Sequence, residues 1–322
     1  MSLIKFFSTN GHPVKVDFKG ALLAGQAPDK GLYMPESFPS LPKETIRDLP
    51  QMSYHQIAYQ VIKPYLGDLV RESALVDMLK DAYSYDVPLE QVYDGKYLLR
   101  LDRGPTCSFK DFAARLMGRL MQYFLKEEGK SIIILTATSG DTGSAVAHAF
   151  YGLENIKVVV LFPEKEVTER QRRQMTTLGE NIYPLAVAGK FDDCQAQVKQ
   201  AFADPDLSRL ALSSANSINV GRLLPQAVYY FYAHSRVARD GERVVFSVPS
   251  GNFGDLMGGL IALKMGLPAK KFVAATNEND EFPKFMRTGV YEPIRPSKNC
   301  ISNAMNVGHP SNLARLFSLY GG

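Results

Sequence analysis

Between Tyr97 and Thr276, short runs of β-branched residues alternate with longer amphipathic stretches, and this alternation constrains the fold more than any other feature of the chain. Such a pattern is typical of a parallel β-sheet covered by helices. It predicts strands at residues 97–102, 131–137, 156–162, 181–188, 243–248 and 271–276. It predicts helices at residues 109–127, 142–151, 167–178, 191–203, 218–238 and 254–265. The expected fold class is therefore α/β with open, mostly parallel sheets.

Residues 1–92 have a different character. They are rich in proline and tyrosine, contain the turn-like stretches NGHP and GQAPDKG, and show a helical pattern from Tyr54 to Tyr83. We expect them to form an N-terminal lobe beside the α/β region. A chain of 322 residues is long enough for about two domains of about 150 residues each.

The composition argues against several classes of partner. The net charge of +4 is spread along the chain without a block of like charge, so neither nucleic acid nor a membrane surface is indicated as a partner. No secretory signal and no apolar run of membrane-spanning length is evident, which predicts a cytoplasmic protein. The three cysteines and five histidines are scattered without metal-ligand spacing, so we expect neither disulfides nor a metal site.

Unusual residues gather where predicted strands end, and ligands of open parallel sheets bind beyond these ends. In the lysine segment (residues 104–110), Lys110 lies in the first turn of the predicted helix 109–127 and projects near Met117 and Met121, at the edge of the apolar stripe. A lysine there is partly desolvated, which lowers its pKa and favours a neutral, nucleophilic amine. The alternative is a lysine that merely covers apolar surface with its stem.

The hydroxyl loop (residues 138–142) follows the predicted strand 131–137. Backbone amides at the start of the next helix and the hydroxyls of this loop could bind an anion. Because the loop has neither the lysine of a P-loop nor a GxGxxG order, a small carboxylate suits it better than a nucleotide. The alternative is a capping turn in which Ser139 or Asp141 satisfies free amides.

The glycine loop (residues 251–254) follows the predicted strand 243–248. Its two glycines permit close backbone approach, and the helix that follows offers free amides to a phosphate group. Asp255 in the first helical turn would repel a phosphate, so we expect it to point away. A tight strand-to-helix turn without a ligand is the alternative.

The asparagine–arginine segment (residues 216–222) opens the predicted helix 218–238. Arg222 and the amides of Asn216 and Asn219 could clamp a phosphate. A capped helix start with a solvated arginine is the alternative.

These segments together resemble the threonine synthase family of pyridoxal-phosphate enzymes, within the fold type II (tryptophan synthase β) group. The resemblance depends on motifs in the family's order, and an N-terminal stretch, ALLAGQAPDKGLYMPE, extends it over nearly the whole chain. The motifs are GPTCSFKDFAARL, TATSGDTGSAVAHAFYG, SANSINVGRLLPQAVYYF and VPSGNFGDLMGGLIALKMGLP followed by ATNENDEF.

The resemblance implies a role for each segment. Lys110 is the lysine that forms a Schiff base with the cofactor, pyridoxal 5'-phosphate. The remaining cofactor-binding residues are Gly251, Asn252, Phe253, Gly254 and Asp141. The implied substrate-binding residues are Thr138, Ser139, Gly140 and Thr142 for the carboxylate, and Asn216, Asn219 and Arg222 for the phosphate.

The resemblance also implies a domain division and a reaction. Residues 1–92 form the N-terminal lobe, residues 128–205 a small α/β domain, and residues 93–127 with 206–322 a large cofactor-binding domain. The family's C-terminal part, with a hydroxyl that faces the pyridine nitrogen, is not expected within these residues. The implied reaction converts the small molecule O-phosphohomoserine and water to L-threonine and phosphate.

Two other functions stay open. One is another fold type II enzyme, such as a serine/threonine dehydratase or a sulfhydrylase, and the other is a non-catalytic relative that binds ligand without turnover. A dinucleotide oxidoreductase is disfavoured because no GxGxxG opens the first strand–helix unit. The sequence does not distinguish a monomer from a homodimer.

Overall fold

The computed structural model describes residues 3–138, 140–207, 209–239 and 241–321. The strands are β1 (Phe6–Ser8), β2 (Tyr33–Pro35), β3 (Leu89–Tyr93), β4 (Lys96–Leu99), β5 (Ile132–Ala137), β6 (Ile156–Pro163), β7 (Ile182–Val187), β8 (Leu212–Ser213), β9 (Val244–Pro249) and β10 (Ala269–Ala275). The helices are α1 (Phe18–Ala24), α2 (Lys43–Asp48), α3 (Tyr54–Leu66), α4 (Glu72–Ala82), α5 (Lys110–Glu128), α6 (Asp141–Phe150), α7 (Glu169–Thr176), α8 (Phe191–Ala203), α9 (Val220–Leu223), α10 (Ala227–Val237), α11 (Gly254–Lys264), α12 (Glu281–Thr288) and α13 (Leu313–Tyr320).

A four-stranded parallel sheet in the order β7-β6-β5-β8 lies at the centre of the α/β region. Alternate residues of its strands face opposite sides, as the two-residue period of a strand requires. Ile134 and Val158 belong to the main core, whereas Leu135 and Leu161 belong to a smaller cluster with Cys194 of α8. Both faces of the sheet are therefore covered, which explains its nearly continuous apolar strands.

A second parallel pair, β9 and β10, is joined through α11. The glycine loop lies at the carboxyl end of β9, and the hydroxyl loop lies at the carboxyl end of β5. Both loops thus lie beyond the carboxyl ends of parallel strands, where ligands bind in open α/β folds.

Helix α5 connects the parts of the molecule. Its apolar residues recur at helical spacing, and Phe112, Leu116, Leu120 and Phe124 are all buried. The helix packs against α4, against α6 beside the four-stranded sheet, and against α9. It ends at Gly129, which adopts the left-handed conformation with φ of 61°. Because α5 is held on several sides, Lys110 at its first turn is presented from a rigid element.

The prediction of a parallel strand at residues 97–102 is wrong. Residues 96–99 form β4, which pairs antiparallel with β3 through a two-residue turn at Asp94 and Gly95. Gly95 has a φ of 65°, and an Asp-Gly pair is a strong hairpin signal. The local turn therefore determines the partner of this strand.

The prediction of one helix over residues 218–238 is also wrong. Helix α9 ends at Leu223, a 3₁₀ turn covers Leu224–Gln226, and α10 begins at Ala227. Pro225 has no amide hydrogen and cannot continue the α-helical bonding pattern. In the N-terminal lobe, the helical pattern 54–83 likewise divides into α3 and α4 at Gly67, where φ is 50°.

Among the described residues, no helix combines the length and the apolarity that crossing a membrane requires.

Candidate active site

The lysine segment is held by a buried carboxylate. Asp111 is fully buried and accepts hydrogen bonds from the Thr106 amide at 2.9 Å and the Thr106 hydroxyl at 2.7 Å. Gly104 lies so close that a Cβ there would be 2.5 Å from an Asp111 oxygen. The turn before α5 thus needs a glycine, and it places Lys110 at the start of the helix.

The amine of Lys110 is buried and has few polar contacts. The side chain is 12% exposed, and Nζ lies 3.7 Å from Oδ2 of Asp141 and 4.4 Å from the centroid of the Phe109 ring. Within the described part of the chain, no acceptor lies within hydrogen-bond distance of Nζ. Burial lowers the pKa of Lys110, Arg222 lowers it further, and Asp141 offsets only part of the decrease. The amine is therefore neutral more often than that of a surface lysine.

The hydroxyl loop is organised by Thr138. Its Oγ1 accepts hydrogen bonds from the amides of Gly140 at 2.9 Å and Gly143 at 2.7 Å. Gly140 has a φ of 135°, a conformation that favours glycine. Thr138 thus performs the capping that sequence reasoning assigned to Ser139 or Asp141, and Ser139 itself lies outside the described residues.

The close packing of Gly143 permits a prediction. A Cβ at this position would lie 2.4 Å from Cγ2 of Thr138 and 2.7 Å from Sδ of Met175. We therefore expect Gly143→Ala to lower the free energy of unfolding by about 1–3 kcal/mol, because overpacking outweighs the higher helix propensity of alanine.

Urea unfolding followed by circular dichroism measures this loss. The neighbouring Ser144→Ala is the matched control, since it removes only hydroxyl hydrogen bonds to the carbonyls of Gly140 and Gln171. The control should lose about 1 kcal/mol. A Gly143→Ala variant as stable as the parent would contradict the prediction.

Asp141 is held from the side opposite Lys110. Gln171 of α7 donates from Nε2 to Oδ1 of Asp141 at 2.7 Å, so that Oδ2 remains on the side of Lys110. Thr142 is partly exposed in the first turn of α6. Sequence reasoning missed Gln171, although the sequence TERQ at residues 168–171 carries the signature of a capping box.

The glycine loop leads into α11 through a left-handed residue. Phe253 has a φ of 61°, and its buried ring packs on Phe282 with centroids 4.7 Å apart. The loop is tied to the C-terminal region, because Oδ1 of Asn252 accepts from the Ser311 amide at 2.8 Å and its carbonyl accepts from the Asn312 side chain at 2.9 Å. The amides at the start of α11 are thereby presented at the end of β9.

Neighbouring residues lie close to the glycines at the two ends of this loop. A Cβ on Gly251 would lie 3.0 Å from Cα of Met305, and a Cβ on Gly254 would lie 3.3 Å from Nε2 of Gln226. The next residue, Asp255, accepts hydrogen bonds at 2.6 Å from the hydroxyls of both Tyr229 and Tyr230. Its carboxylate is thus held by two tyrosines.

The asparagine–arginine segment has a mixed character. Asn219 is fully buried and its amide is already engaged with the carbonyls of Leu22 and Ser214, while its Oδ1 accepts from the Gly221 amide. Asn216 is partly buried and bonds with Thr136 and the Ala137 carbonyl. The bond from the Gly221 amide to Asn219 caps the start of α9, which agrees with the alternative interpretation of this segment as a capped helix start.

Arg222 departs from that alternative because it is not solvated. It is 4% exposed and donates from one guanidinium nitrogen to the Ala215 carbonyl at 2.7 Å. Its Nε has no acceptor in residues 3–138, 140–207, 209–239 and 241–321. Burial lowers the pKa of Arg222 to about 10, so it remains a cation at neutral pH.

The buried position of Arg315 was not anticipated from the sequence. Arg315 of α13 is fully buried and donates to the carbonyls of Tyr33, Ser217 and Ile218 and to the side chain of Asn312. It joins β2, the asparagine–arginine segment and the C-terminal helix α13. An isolated arginine in an amphipathic helix carries no sequence signal for such a role.

Comparisons with known proteins identify the family. The model described as "Threonine synthase N terminus" matches residues 5–83, and the model described as "Pyridoxal-phosphate dependent enzyme" matches residues 88–321. The threonine synthase of Escherichia coli (strain K12) is 40% identical over 319 residues, which cover 98% of this chain and 74% of that protein. The threonine synthase of Haemophilus influenzae is 44% identical over 312 residues, covering 96% of this chain and 72% of that protein. The chain belongs to the threonine synthase family.

Solved structures of threonine synthases agree with this assignment. The pyridoxal-phosphate-bound threonine synthase of Brucella melitensis matches with a TM-score of 0.94 and 40% identity, over 99% of this chain and 70% of that chain. The Escherichia coli structure matches with a TM-score of 0.91 and 40% identity, over 98% of this chain and 74% of that chain. The fold type II architecture, the threonine synthase function and pyridoxal phosphate as the cofactor are therefore confirmed. This family member is a pyridoxal-phosphate-dependent lyase that acts on a small molecule.

The residues of this threonine synthase family member fit the cofactor. The buried amine of Lys110 is a polar atom without an acceptor among the described residues, as an amine that bonds to the cofactor aldehyde requires. A Cβ at Gly251 or Gly254 would lie within 3.3 Å of a neighbouring residue, so the loop needs glycine at both positions, and its backbone leads into the N-terminus of α11, where unpaired amides favour a phosphate. Both the aldehyde and the phosphate of the cofactor would thus meet suitable groups.

Proposed function

We propose that Lys110 is the cofactor-binding and proton-carrying residue with which this chain converts O-phosphohomoserine and water to L-threonine and phosphate. The observation that carries the proposal is the buried amine of Lys110, which lies 3.7 Å from Asp141 without a hydrogen-bond acceptor among the described residues. An amine of lowered pKa can give and take protons near neutral pH. It can also bond to the cofactor as a nucleophile.

The proposed cofactor residues surround the two strand ends. Gly251, Asn252, Phe253 and Gly254 would hold the cofactor phosphate at the start of α11, where the amides and the helix dipole favour an anion. Asp141 would contact the cofactor ring from the hydroxyl loop. When bound, pyridoxal phosphate supplies the electron sink that stabilises a carbanion at the substrate Cα.

The proposed substrate residues lie in two segments. Thr138, Ser139, Gly140 and Thr142 would hold the substrate carboxylate with amides and hydroxyls. Arg222 and Asn216 would hold the substrate phosphate. The amide of Asn219 is engaged with protein carbonyls, so we propose that it contributes by shaping the turn that carries Arg222.

Lys110 would act at two substrate atoms in turn. It would remove the proton from Cα and then move a proton at Cβ, after which phosphate leaves from Cγ and water adds at Cβ. Water must stay away until the addition step, since it would compete for the reactive carbon. We propose that the small domain, residues 128–205, closes on the large domain, residues 93–127 and 206–322, and that residues 1–92 form the third part. Limited proteolysis with and without substrate would test this closure.

Activity assays test the proposed reaction. The purified protein is incubated with pyridoxal phosphate and O-phosphohomoserine, and phosphate and threonine are measured together. We expect equal amounts of both products. Keto acid formed from serine without phosphate release from O-phosphohomoserine would support a dehydratase, and binding of O-phosphohomoserine without either product would support a non-catalytic relative.

The role of Arg222 leads to a separate prediction. Arg222→Gln removes the buried cation, and we expect the KM for O-phosphohomoserine to rise about 10–100-fold because a hydrogen bond to a charged group contributes about 1.5–3 kcal/mol. The affinity for inorganic phosphate as a competitive inhibitor should fall in parallel.

Arg222→Lys is the matched variant, since it keeps the charge but loses the planar fork. We expect an intermediate KM. Covalent attachment of the cofactor to Lys110 should continue in both variants, which separates a loss of substrate affinity from a general loss of structure. An unchanged KM in Arg222→Gln would exclude Arg222 as a phosphate ligand.

We further propose that the protein acts in the cytoplasm. The net charge of +4, spread along the chain without a block of like charge, supports this location. Fractionation of cells that contain the protein would test it.

A further inference from the structure

Gln171 makes an unusual set of contacts for a residue on the first turn of a surface helix. Its Oε1 accepts hydrogen bonds from the amide of Thr168 at 3.0 Å and the hydroxyl of Thr168 at 3.1 Å. Because these bonds fix the amide oxygen, the amide nitrogen must point the other way. It donates to Oδ1 of Asp141 at 2.7 Å.

Gln171 also packs directly on the hydroxyl loop. A Cβ on Gly140 would lie 2.4 Å from Cδ of Gln171, so only glycine leaves room for this side chain. The Gln171 carbonyl accepts a hydrogen bond from Ser144 at 3.2 Å. Helix α7 is therefore fastened to the start of α6 through both the backbone and the side chain of this residue.

The bond from Gln171 orients the charge nearest to Lys110. With Oδ1 of Asp141 engaged, Oδ2 stays 3.7 Å from Nζ of Lys110. The other charged groups that face Lys110 are Arg222 of α9 and Asp255 of α11. Asp255 accepts hydrogen bonds from two tyrosines, and Arg222 donates to a backbone carbonyl. Each of these charged side chains is therefore positioned by its own hydrogen bonds, as Asp141 is by Gln171.

We propose that Gln171 is a positioning residue that controls the reactivity of Lys110 by holding the Asp141 carboxylate beside its amine. This inference rests on the proposed role of Lys110 in binding the cofactor. In that step Nζ forms a carbon–nitrogen bond with the aldehyde carbon of pyridoxal phosphate, and the aldehyde oxygen leaves as water. The step needs the neutral amine, and a carboxylate nearby favours the protonated form.

The pH dependence of cofactor attachment tests the proposal. Apo-protein is mixed with pyridoxal phosphate at a series of pH values, and the attached fraction is trapped by borohydride and measured by mass spectrometry. For the parent protein, we expect the attachment rate to rise with pH to a half-maximum below the value of about 10.4 that is typical of an exposed lysine, because burial lowers the pKa of Lys110.

Two substitutions separate the effect of the Asp141 carboxylate from the effect of the Gln171 side chain that holds it. Asp141→Asn removes the carboxylate, and its half-maximum should move to lower pH by about one unit, because the amine loses a neighbouring negative charge. Gln171→Met has a side chain of similar length without a donor, and it should shift the half-maximum in the same direction by a smaller amount. The double variant should match Asp141→Asn alone, because Gln171 acts only through Asp141.

Thr168→Ala is the control for a purely structural effect. It removes the hydroxyl of the capping box but keeps the Thr168 backbone amide, which donates to Oε1 of Gln171 at 3.0 Å and so keeps Nε2 directed at Asp141. The helix is therefore weakened while the pH profile stays at the parent position. A Gln171→Met profile equal to that of the parent, or additive shifts in the double variant, would overturn the inference. A parent protein that attaches no cofactor at Lys110 would instead overturn the proposed function.

Discussion

Replacing Lys110 with alanine will abolish both threonine formation and covalent attachment of the cofactor. The proposed mechanism uses the Lys110 amine as nucleophile and as proton carrier, and this amine lies 3.7 Å from Asp141 of the hydroxyl loop. Acid–base catalysis alone contributes about 10²–10⁴-fold, so the loss of both roles should exceed about 10³-fold. Phosphate release and the mass of the borohydride-reduced protein measure the two effects.

The fold should tolerate this substitution. The amine of Lys110 has no hydrogen-bond acceptor among the described residues, so alanine leaves no strong polar contact broken. We expect the free energy of unfolding to change by less than about 1 kcal/mol. Lys126→Ala, on the exposed side of the same helix, is the control and should keep both attachment and activity. Cofactor attached to Lys110→Ala at the parent level would refute the assignment.

Replacing Arg315 with alanine will strongly destabilise the protein. The guanidinium donates to the carbonyls of Tyr33, Ser217 and Ile218 at 3.1, 2.9 and 2.6 Å, and all three would lose this charged donor. Each unsatisfied group costs about 1–3 kcal/mol. Burial opposes this stabilisation, since it lowers the pKa of Arg315 to about 9, which reflects the cost of placing a cation in the interior. We expect a net loss of about 2–4 kcal/mol, because the broken bonds and the cavity outweigh the relieved desolvation.

Urea unfolding followed by tyrosine fluorescence measures this loss. Arg315→Lys is the matched control. It retains the charge, but it lacks the planar guanidinium with which arginine reaches three carbonyls. Its stability should lie between those of the parent and Arg315→Ala. A midpoint for Arg315→Ala equal to that of the parent would show that the network around Ser217 does not hold the C-terminal helix in place.

The strand and helix pattern of the α/β region follows from local periodicity. Strands β5, β6, β7, β9 and β10 lie within one or two residues of their predicted positions, because their apolar runs are bounded by turn signals. The misplaced elements are those that depend on a neighbouring turn or on one proline. Residues 96–99 joined a hairpin through Gly95, and Pro225 divided the helix that follows Arg222.

The placement of the candidate site was also accessible from the sequence. The hydroxyl and glycine loops follow strands of parallel sheets, and such loops lie at the ligand-binding edge in any open α/β fold. The position of Lys110 at the edge of an apolar stripe correctly indicated a desolvated amine. The individual roles of the site residues remain predictions.

The sequence by itself determined the family, the order of the elements and the loops at which ligands bind, since these depend on residue types close together in the chain. The tertiary structure alone decided which charges are buried and which partners hold them. Gln171 meets Asp141 across 30 residues, and Arg315 meets Tyr33 across 282 residues. Contacts over such separations leave no periodic signal in one sequence, because they arise from the packing of whole elements and not from local backbone preference.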